Sequence, residues 1–380
     1  MTVYLDHNAT APVRPEAASA VMAALEAGGN PSSVHQSGRA ARARVEQARS
    51  VIAKSICARV EDLVFTSGGT EAINLAIHAA TALGAERIIH SAIEHDAVRA
   101  AAAASGLAVE EWPVTTDGRA NMNWLEGRLE RAGAASEAPI LFALTAASNE
   151  TGVLQPVADA GRMIRDAGHL FLVDAVQMTG KAPFDFAESG AQFASLSAHK
   201  AGGPQGVGAL AVACDAQVGA LISGGGQEKG RRGGTENVAG ICGFAAAVAA
   251  VGPSESGRIA ALRERLEHRL KAGAPEIVIW GEGAKRLPNT ICLSAPGWPS
   301  EIQVIAMDLA GFAVSAGSAC SSGKVRKSHV LQAMGASDAH AGSALRISLG
   351  WTTKEADIDA FAETWLNEYH RARPLAAAAV

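Results

Sequence analysis

The sequence has no basic-then-apolar leader at its start, "MTVYLDHNAT". Its longest apolar stretch, "VAGICGFAAAVAAVG", is too short and too rich in alanine and glycine to span a bilayer. Positive charge is not in excess: the formal net charge is -5, which gives no general attraction to nucleic acid or to an anionic membrane. The basic run Arg39, Arg42, Arg44 and Arg49 sits in an alanine-rich helical pattern with Glu46 among it and reads as a solvated face. The five cysteines (Cys57, Cys214, Cys242, Cys292 and Cys320) are scattered, with no C-x-x-C pair. That spacing argues against a structural zinc site and against a disulfide framework, and it fits a reducing cytoplasm. Two nucleotide signatures are also missing. There is no G-x-x-x-x-G-K-S/T loop, and "GPQGVG" has the wrong glycine order for a dinucleotide site and precedes a strand.

The chain has 380 residues, 48% of them hydrophobic and 19% charged, so it is a folded protein with room for one large domain and a smaller one. Between about residues 60 and 215, short apolar runs alternate with helical patterns: "LVFTS", "RIIHSA", "ILFALTA", "LFLVDAV", "FASLS" and "GALAVAC". Runs without polar alternation, separated by helices, predict a mostly parallel sheet covered on both faces. After about residue 255 the pattern changes to long amphipathic helices such as "SGRIAALRERLEHRLKAG", with shorter strands in "NTICLSA" and "ALRISLG". The expected fold is α/β, with a large domain over 14–255 and a small α+β domain made of 1–13 and 256–380.

In an open parallel sheet, ligands bind beyond the carboxyl ends of the strands. The strand ends here carry Gly69 and Thr70, then His95, then Asn149, then Asp174 with Gln177, then Ser197, His199 and Lys200. Taken singly, Thr70 reads as an N-cap, His95 as a satisfied histidine and Asn149 as a turn residue. Asp174 ends an apolar run, and a buried carboxylate needs a cationic or hydrogen-bonding partner. Lys200 is in the same position, and desolvation makes a lysine a better nucleophile. The turn "TSGGTEAIN" opens a helix, whose N–H groups and dipole suit a phosphate. A phosphate cradle, a buried carboxylate and a strand-end lysine are together what pyridoxal phosphate requires.

The stretches "YLDHNATAPVRPE", "GNPSSVH", "FTSGGTEAINLAI", "EHDAV", "SNETGVLQP", "VDAVQMTGK", "SAHKAGGPQGVGAL" and "SAGSACSS" resemble the cysteine desulfurases, within the fold-type I pyridoxal-phosphate enzymes of the class V aminotransferase family. The "SACSS" segment is similar to the group with an extended cysteine loop, the nitrogen-fixation and iron–sulfur cluster type. The resemblance implies that Lys200 forms the Schiff base with pyridoxal 5'-phosphate and that Asp174 pairs with the ring nitrogen. His95 stacks on the ring and moves protons, and Gln177 and Asn149 contact the ring oxygen and the substrate region. Gly69, Thr70, Ser197 and His199 hold the phosphate. Thr235 reaches the phosphate of a neighbouring subunit, which implies a homodimer. Arg346, helped by Asn30, binds the substrate carboxylate, for which a guanidinium fork is well matched.

The resemblance makes Cys320 the nucleophile. Its surroundings, "VSAGSACSSGKVRKSHV", are small and polar, with Lys324, Arg326 and Lys327 nearby to favour a thiolate. The other four cysteines are expected to be buried small hydrophobes. In the implied reaction, L-cysteine gives L-alanine, a persulfide forms on Cys320, and the sulfur passes to an acceptor or iron–sulfur scaffold protein. No metal site is expected beyond transient contact of Cys320 with a cluster, nor any nucleic-acid or membrane partner. Ala11 stands where relatives often carry a second threonine, with little effect expected, and the tail "RARPLAAAAV" shows no evident docking element. The residues leave rivals open: a selenocysteine lyase, another fold-type I enzyme, or a non-catalytic sulfur-trafficking subunit. A plain aminotransferase needs no thiol, and retention of Lys200, Asp174, His95 and Cys320 together speaks against a non-catalytic subunit.

Overall fold

The computed structural model describes every residue except 1, 136, 215, 318–326 and 378–380, with side chains described as far as residue 372. Each of the six apolar runs forms a strand, because residues with β-propensity on both faces can be buried only between two layers. The main sheet runs in the order Leu63–Thr66, Gly208–Val212, Phe193–Ser197, Leu170–Asp174, Ile140–Thr145, Arg87–Ser91, Ala108–Trp112. Neighbours are parallel except for Gly208–Val212, which is antiparallel to both of its partners. Alternate residues of one strand serve the two faces. Phe142 and Leu144 join a core with the helices Gln36–Ser55, Met122–Ala135, Val157–Asp166 and Val238–Ala249. Leu141 and Ala143 join the opposite core with Gly69–Ala82 and Asp96–Ala104. The edge strand Ala108–Trp112 was not anticipated: its sequence "AVEEW" is largely exposed and lacks a continuous apolar run.

A second sheet, Ser315–Ala316, Ala344–Ser348, Thr290–Ser294 and Val278–Ile279 in that order, is antiparallel. The helices Glu255–Gly273 and Glu355–Ala377 pack on it through Leu262, Leu266, Leu270, Phe361 and Trp365. The N-terminal strand Val3–Tyr4 pairs in parallel with Phe312–Ala313, and Asp6 bridges to Ser348. This route carries residues 6–10 along the seam between the two sheets, next to the ends of the main strands.

The cysteine expectation needs correction at two positions. Cys292 is buried, but Cys57 and Cys214 are exposed and Cys242 is intermediate. Cys57 lies where the chain turns out of the helix Gln36–Ser55 with φ 54°, and Cys214 lies in the turn after Gly208–Val212. Their apolar neighbours belong to the elements that end there, not to the turns. Cys320 lies outside the described residues.

Candidate active site

Beyond the carboxyl ends of the parallel strands lies a cleft of about 250 Å³, lined by Gly69, Thr70, His95, Asn149, Asp174, Gln177, Ser197, His199 and Lys200. It adjoins a recess of about 430 Å³ that shares His95, Asn149, Gln177 and Lys200 and adds Asn8, Glu150 and Arg346. The strand-end residues singled out in the sequence therefore meet in one place.

The helix Gly69–Ala82 opens at the cleft with Gly68 at its N-cap and no side-chain cap. Thr70 is exposed and does not cap the helix. The first-turn N–H groups are thus left for a ligand, and the helix dipole favours an anion there. A Cβ on Gly69 would lie 2.7 Å from Val176 Cγ2, so only glycine fits between that side chain and the cleft floor. Glu71 would oppose an anion, but Arg232 Nε donates to it at 2.8 Å. Burial pushes the Glu71 carboxyl up, yet hydrogen bonds from Arg232 and Ser67 outweigh this and hold it low.

Asp174 ends its strand only 7% exposed. Its Oδ1 accepts from Ser195 Oγ at 2.8 Å and from the Val176 N–H at 3.1 Å, so both bonds fall on one oxygen. Glu94, fully enclosed next to it, accepts from the Thr145 N–H at 2.6 Å through Oε1, while its Oε2 has no partner among the described residues. Burial, and then the charge of Asp174, push the Glu94 carboxyl well up. The charged form of Glu94 is thereby disfavoured beside Asp174.

Lys200 closes the short turn Ala198–Lys200 after Phe193–Ser197. Its Nζ donates to the carbonyls of Asn8 at 2.7 Å and Ala9 at 2.8 Å. Burial lowers its pKa to about 8, and the Arg346 cation adds to the effect against Asp174 and Asp6. Asn8, 1% exposed, is a hub that the sequence reading did not single out. Its carbonyl also accepts from Gln177 Nε2 at 3.1 Å. Its Nδ2 donates to Asn149 O and Thr290 Oγ1, and its Oδ1 accepts from Lys181 Nζ at 2.8 Å and Asn289 Nδ2 at 3.0 Å. Lys181, four residues after Gln177 in "QMTGK", was likewise missed.

His95 caps the helix Asp96–Ala104, its Nδ1 accepting from the Ala97 N–H at 3.0 Å. The proton of the neutral ring is thereby assigned to Nε2. His199 Nδ1 lies 3.2 Å from Thr10 Oγ1. Burial, followed by Lys200 and Lys181, lowers the His199 pKa to about 4, so its ring is neutral. Arg346, on Ala344–Ser348 and 4% exposed, donates through NH2 to Asp6 Oδ1 at 2.7 Å and through NH1 to Asn149 O at 3.2 Å. Its buried Nε has no partner among the described residues.

Two candidates stand apart. Asn30 is exposed, and its Oδ1 accepts from the Ser32 N–H in its own turn. Thr235 lines a separate cavity with Ser67, Gly206 and Arg232. Among the described residues, no helix is long and apolar enough to cross a membrane.

The class-V aminotransferase family model matches residues 3–361. A cysteine desulfurase of Cereibacter sphaeroides is 39% identical over 95% of this chain and 94% of its own length. An IscS-like cysteine desulfurase of Mycobacterium tuberculosis is 37% identical over 99% of this chain and 98% of its own. Among solved structures, a NifS-like protein from Rickettsia africae superposes with a TM-score of 0.88 at 35% identity, covering 98% of this chain and 100% of that one. SspA, solved in complex with cysteine, superposes with a TM-score of 0.78 at 29% identity, covering 92% of this chain and 99% of that one. With a strand-end cleft that gathers Lys200 and Asp174 on a mostly parallel sheet and matches that run nearly end to end, the chain belongs to the class-V aminotransferase family, among its cysteine desulfurases.

Proposed function

We propose that the cleft binds pyridoxal 5'-phosphate and that the enzyme converts L-cysteine to L-alanine, loading the sulfur onto Cys320. The observation that carries this reading is the convergence of Lys200, Asp174 and an uncapped helix N-terminus on one cleft. The donor set fits the group. Gly69, Thr70, Ser197 and His199 form a cradle for its phosphate. Asp174 Oδ2 is left for the ring nitrogen while Ser195 and Val176 hold Oδ1. When bound, the cofactor supplies an electron-withdrawing ring that weakens bonds at the substrate α-carbon.

The chain's own residues do the rest. The Arg346 fork grips the substrate carboxylate, with Asp6 and the Asn149 carbonyl fixing its plane. The Lys200 amine takes a proton from the α-carbon, a role its lowered pKa suits near neutral pH. His95, with Nδ1 committed to its helix cap, works through Nε2–H. The Cys320 thiolate attacks the substrate sulfur. An S–S bond forms, the C–S bond breaks with its electrons kept on carbon, and protonation of the carbon fragment leads to alanine.

The same reading makes the enzyme a cytoplasmic homodimer that delivers sulfur to an acceptor or iron–sulfur scaffold protein. Its division into 14–255 and 1–13 with 256–380 sets the cofactor on one unit and Cys320 on the other. Thr235, away from its own chain's cleft and on a segment with exposed Leu221 and Ile222, suits contact with a second copy. Asn30 belongs to this reading as a helper of Arg346. The four described cysteines are free, in keeping with a reducing compartment. The test is borohydride reduction of the purified protein. The unsubstituted enzyme should trap the cofactor on the Lys200 peptide, and Lys200→Ala should show no reducible chromophore. A normal reducible chromophore in Lys200→Ala overturns the assignment.

A further inference from the structure

Lys181 has no part in the reaction as drawn, yet it sits at the centre of the polar network beneath the cleft. Its Nζ donates to Gln177 Oε1, four residues back in the chain, and to Asn8 Oδ1 at 2.8 Å. It forms no ion pair among the described residues. The charged groups acting on it are Lys200 and Arg346, which oppose its charge, and Asp6, which favours it, and it in turn presses on His7 and His199. Burial, then Lys200 and Arg346, push its pKa well down. A second buried amine among cations is costly, so what its hydrogen bonds accomplish is the question.

Lys181 Nζ donates to two amide oxygens, as a charged or a neutral amine can. Gln177 must therefore present Oε1 to Lys181, which turns Nε2 toward the Asn8 carbonyl and leaves its second N–H at the cleft without a partner among the described residues. Donation to Oε1 also polarises the amide and makes that N–H a stronger donor. On the other side, Lys181 and Asn289 together pin the Asn8 side chain, whose carbonyl is the docking point of Lys200.

We propose that Lys181 is a positioning residue that acts through Gln177, clamping its Oε1 and Asn8 Oδ1 together so that the Gln177 N–H is aimed and strengthened toward the cofactor's ring oxygen. The inference rests on the cofactor reading above. Loss of the clamp weakens a donor to an oxygen that is most negative when the bound chromophore is deprotonated. The chromophore's proton affinity then rises.

The experiment is a pH titration of the cofactor's absorption band in the loaded protein without substrate, for the unsubstituted enzyme, Lys181→Met, Gln177→Met and the double variant. Lys181→Met should raise the midpoint by about one pH unit, a tenfold change in proton affinity. Gln177→Met should raise it at least as far, and Lys181→Met should add nothing on the Gln177→Met background. Lys181→Arg, which retains donors, should stay closer to the unsubstituted value. An unchanged midpoint in Lys181→Met overturns the proposal. So does a fully additive shift in the double variant, which would mean a direct charge effect not transmitted by Gln177. Should Lys181→Met not fold, as judged by circular dichroism, Lys181→Gln gives the same comparison. Absence of any chromophore in the unsubstituted enzyme would defeat the cofactor reading instead, so the two failures are distinguishable.

Discussion

Lys200 should titrate near pH 8 in the cofactor-free protein. Burial of the ammonium, helped by Arg346 and opposed by Asp174 and Asp6, brings its pKa from 10.5 to about 8. Near pH 7.5 about a quarter of the Lys200 amines are then neutral, against roughly one in a thousand for an ordinary lysine. That is a gain of about 200-fold in nucleophilic amine. The same shift links stability to pH. The folded protein holds the Lys200 proton less tightly than the unfolded chain does, so the charged form weakens folding at all pH values below the folded pKa. This penalty is relieved as pH rises from about 8 to 10.5, and roughly 3 kcal/mol is recovered across that window. The assay is trace acetylation with isotopic acetic anhydride from neutral to alkaline pH, quantified on the Lys200 peptide by mass spectrometry. Arg346→Gln removes a cation and should raise the labelling midpoint, whereas Asp174→Asn removes an anion and should lower it. A midpoint near that of surface lysines, or shifts of the opposite sign, would refute the electrostatic account of this residue.

Arg346→Lys keeps a charge near Asp6 but loses the planar fork, and kcat/KM for cysteine should fall roughly 10- to 100-fold while cofactor absorbance is retained. Steady-state alanine release measures this, and a loss under threefold would remove Arg346 from carboxylate binding. Gly350→Ala places a Cβ 1.9 Å from His7 Nδ1 and should cost about 1–3 kcal/mol or more, seen as a lower melting temperature. Gly252→Ala, with nothing within 4 Å of its Cβ, is the control and should be nearly neutral; equal losses in the two would contradict the packing argument.

The large sheet was legible because Leu141, Phe142, Leu172 and Phe193 must be buried on both faces, and a run of such residues has one common solution. Ala108–Trp112 escaped notice because an edge strand needs only one paired side, so Glu110 and Glu111 are tolerated in it. The strand-end rule pointed to Asp174, Ser197 and Lys200, which line one cleft, since strand direction alone decides which end faces it. It gave no warning of Asn8, which reaches the site from a parallel pairing with Phe312–Ala313, some 300 residues away in the chain. Lys181 was hidden for another reason. A glycine–lysine pair in a turn reads as solvated, and only tertiary packing turns its amine inward onto Gln177. Cys57 and Cys214 show the reverse error: apolar neighbours in sequence imply burial only while the element they belong to continues.

The most direct test of the account is the mass of the Cys320 peptide, kept unreduced, after brief incubation of the purified enzyme with L-cysteine. The account predicts a gain of one sulfur atom on that peptide, with alanine in solution. Cysteine consumed by the cofactor-loaded enzyme with no added sulfur on Cys320 would contradict it.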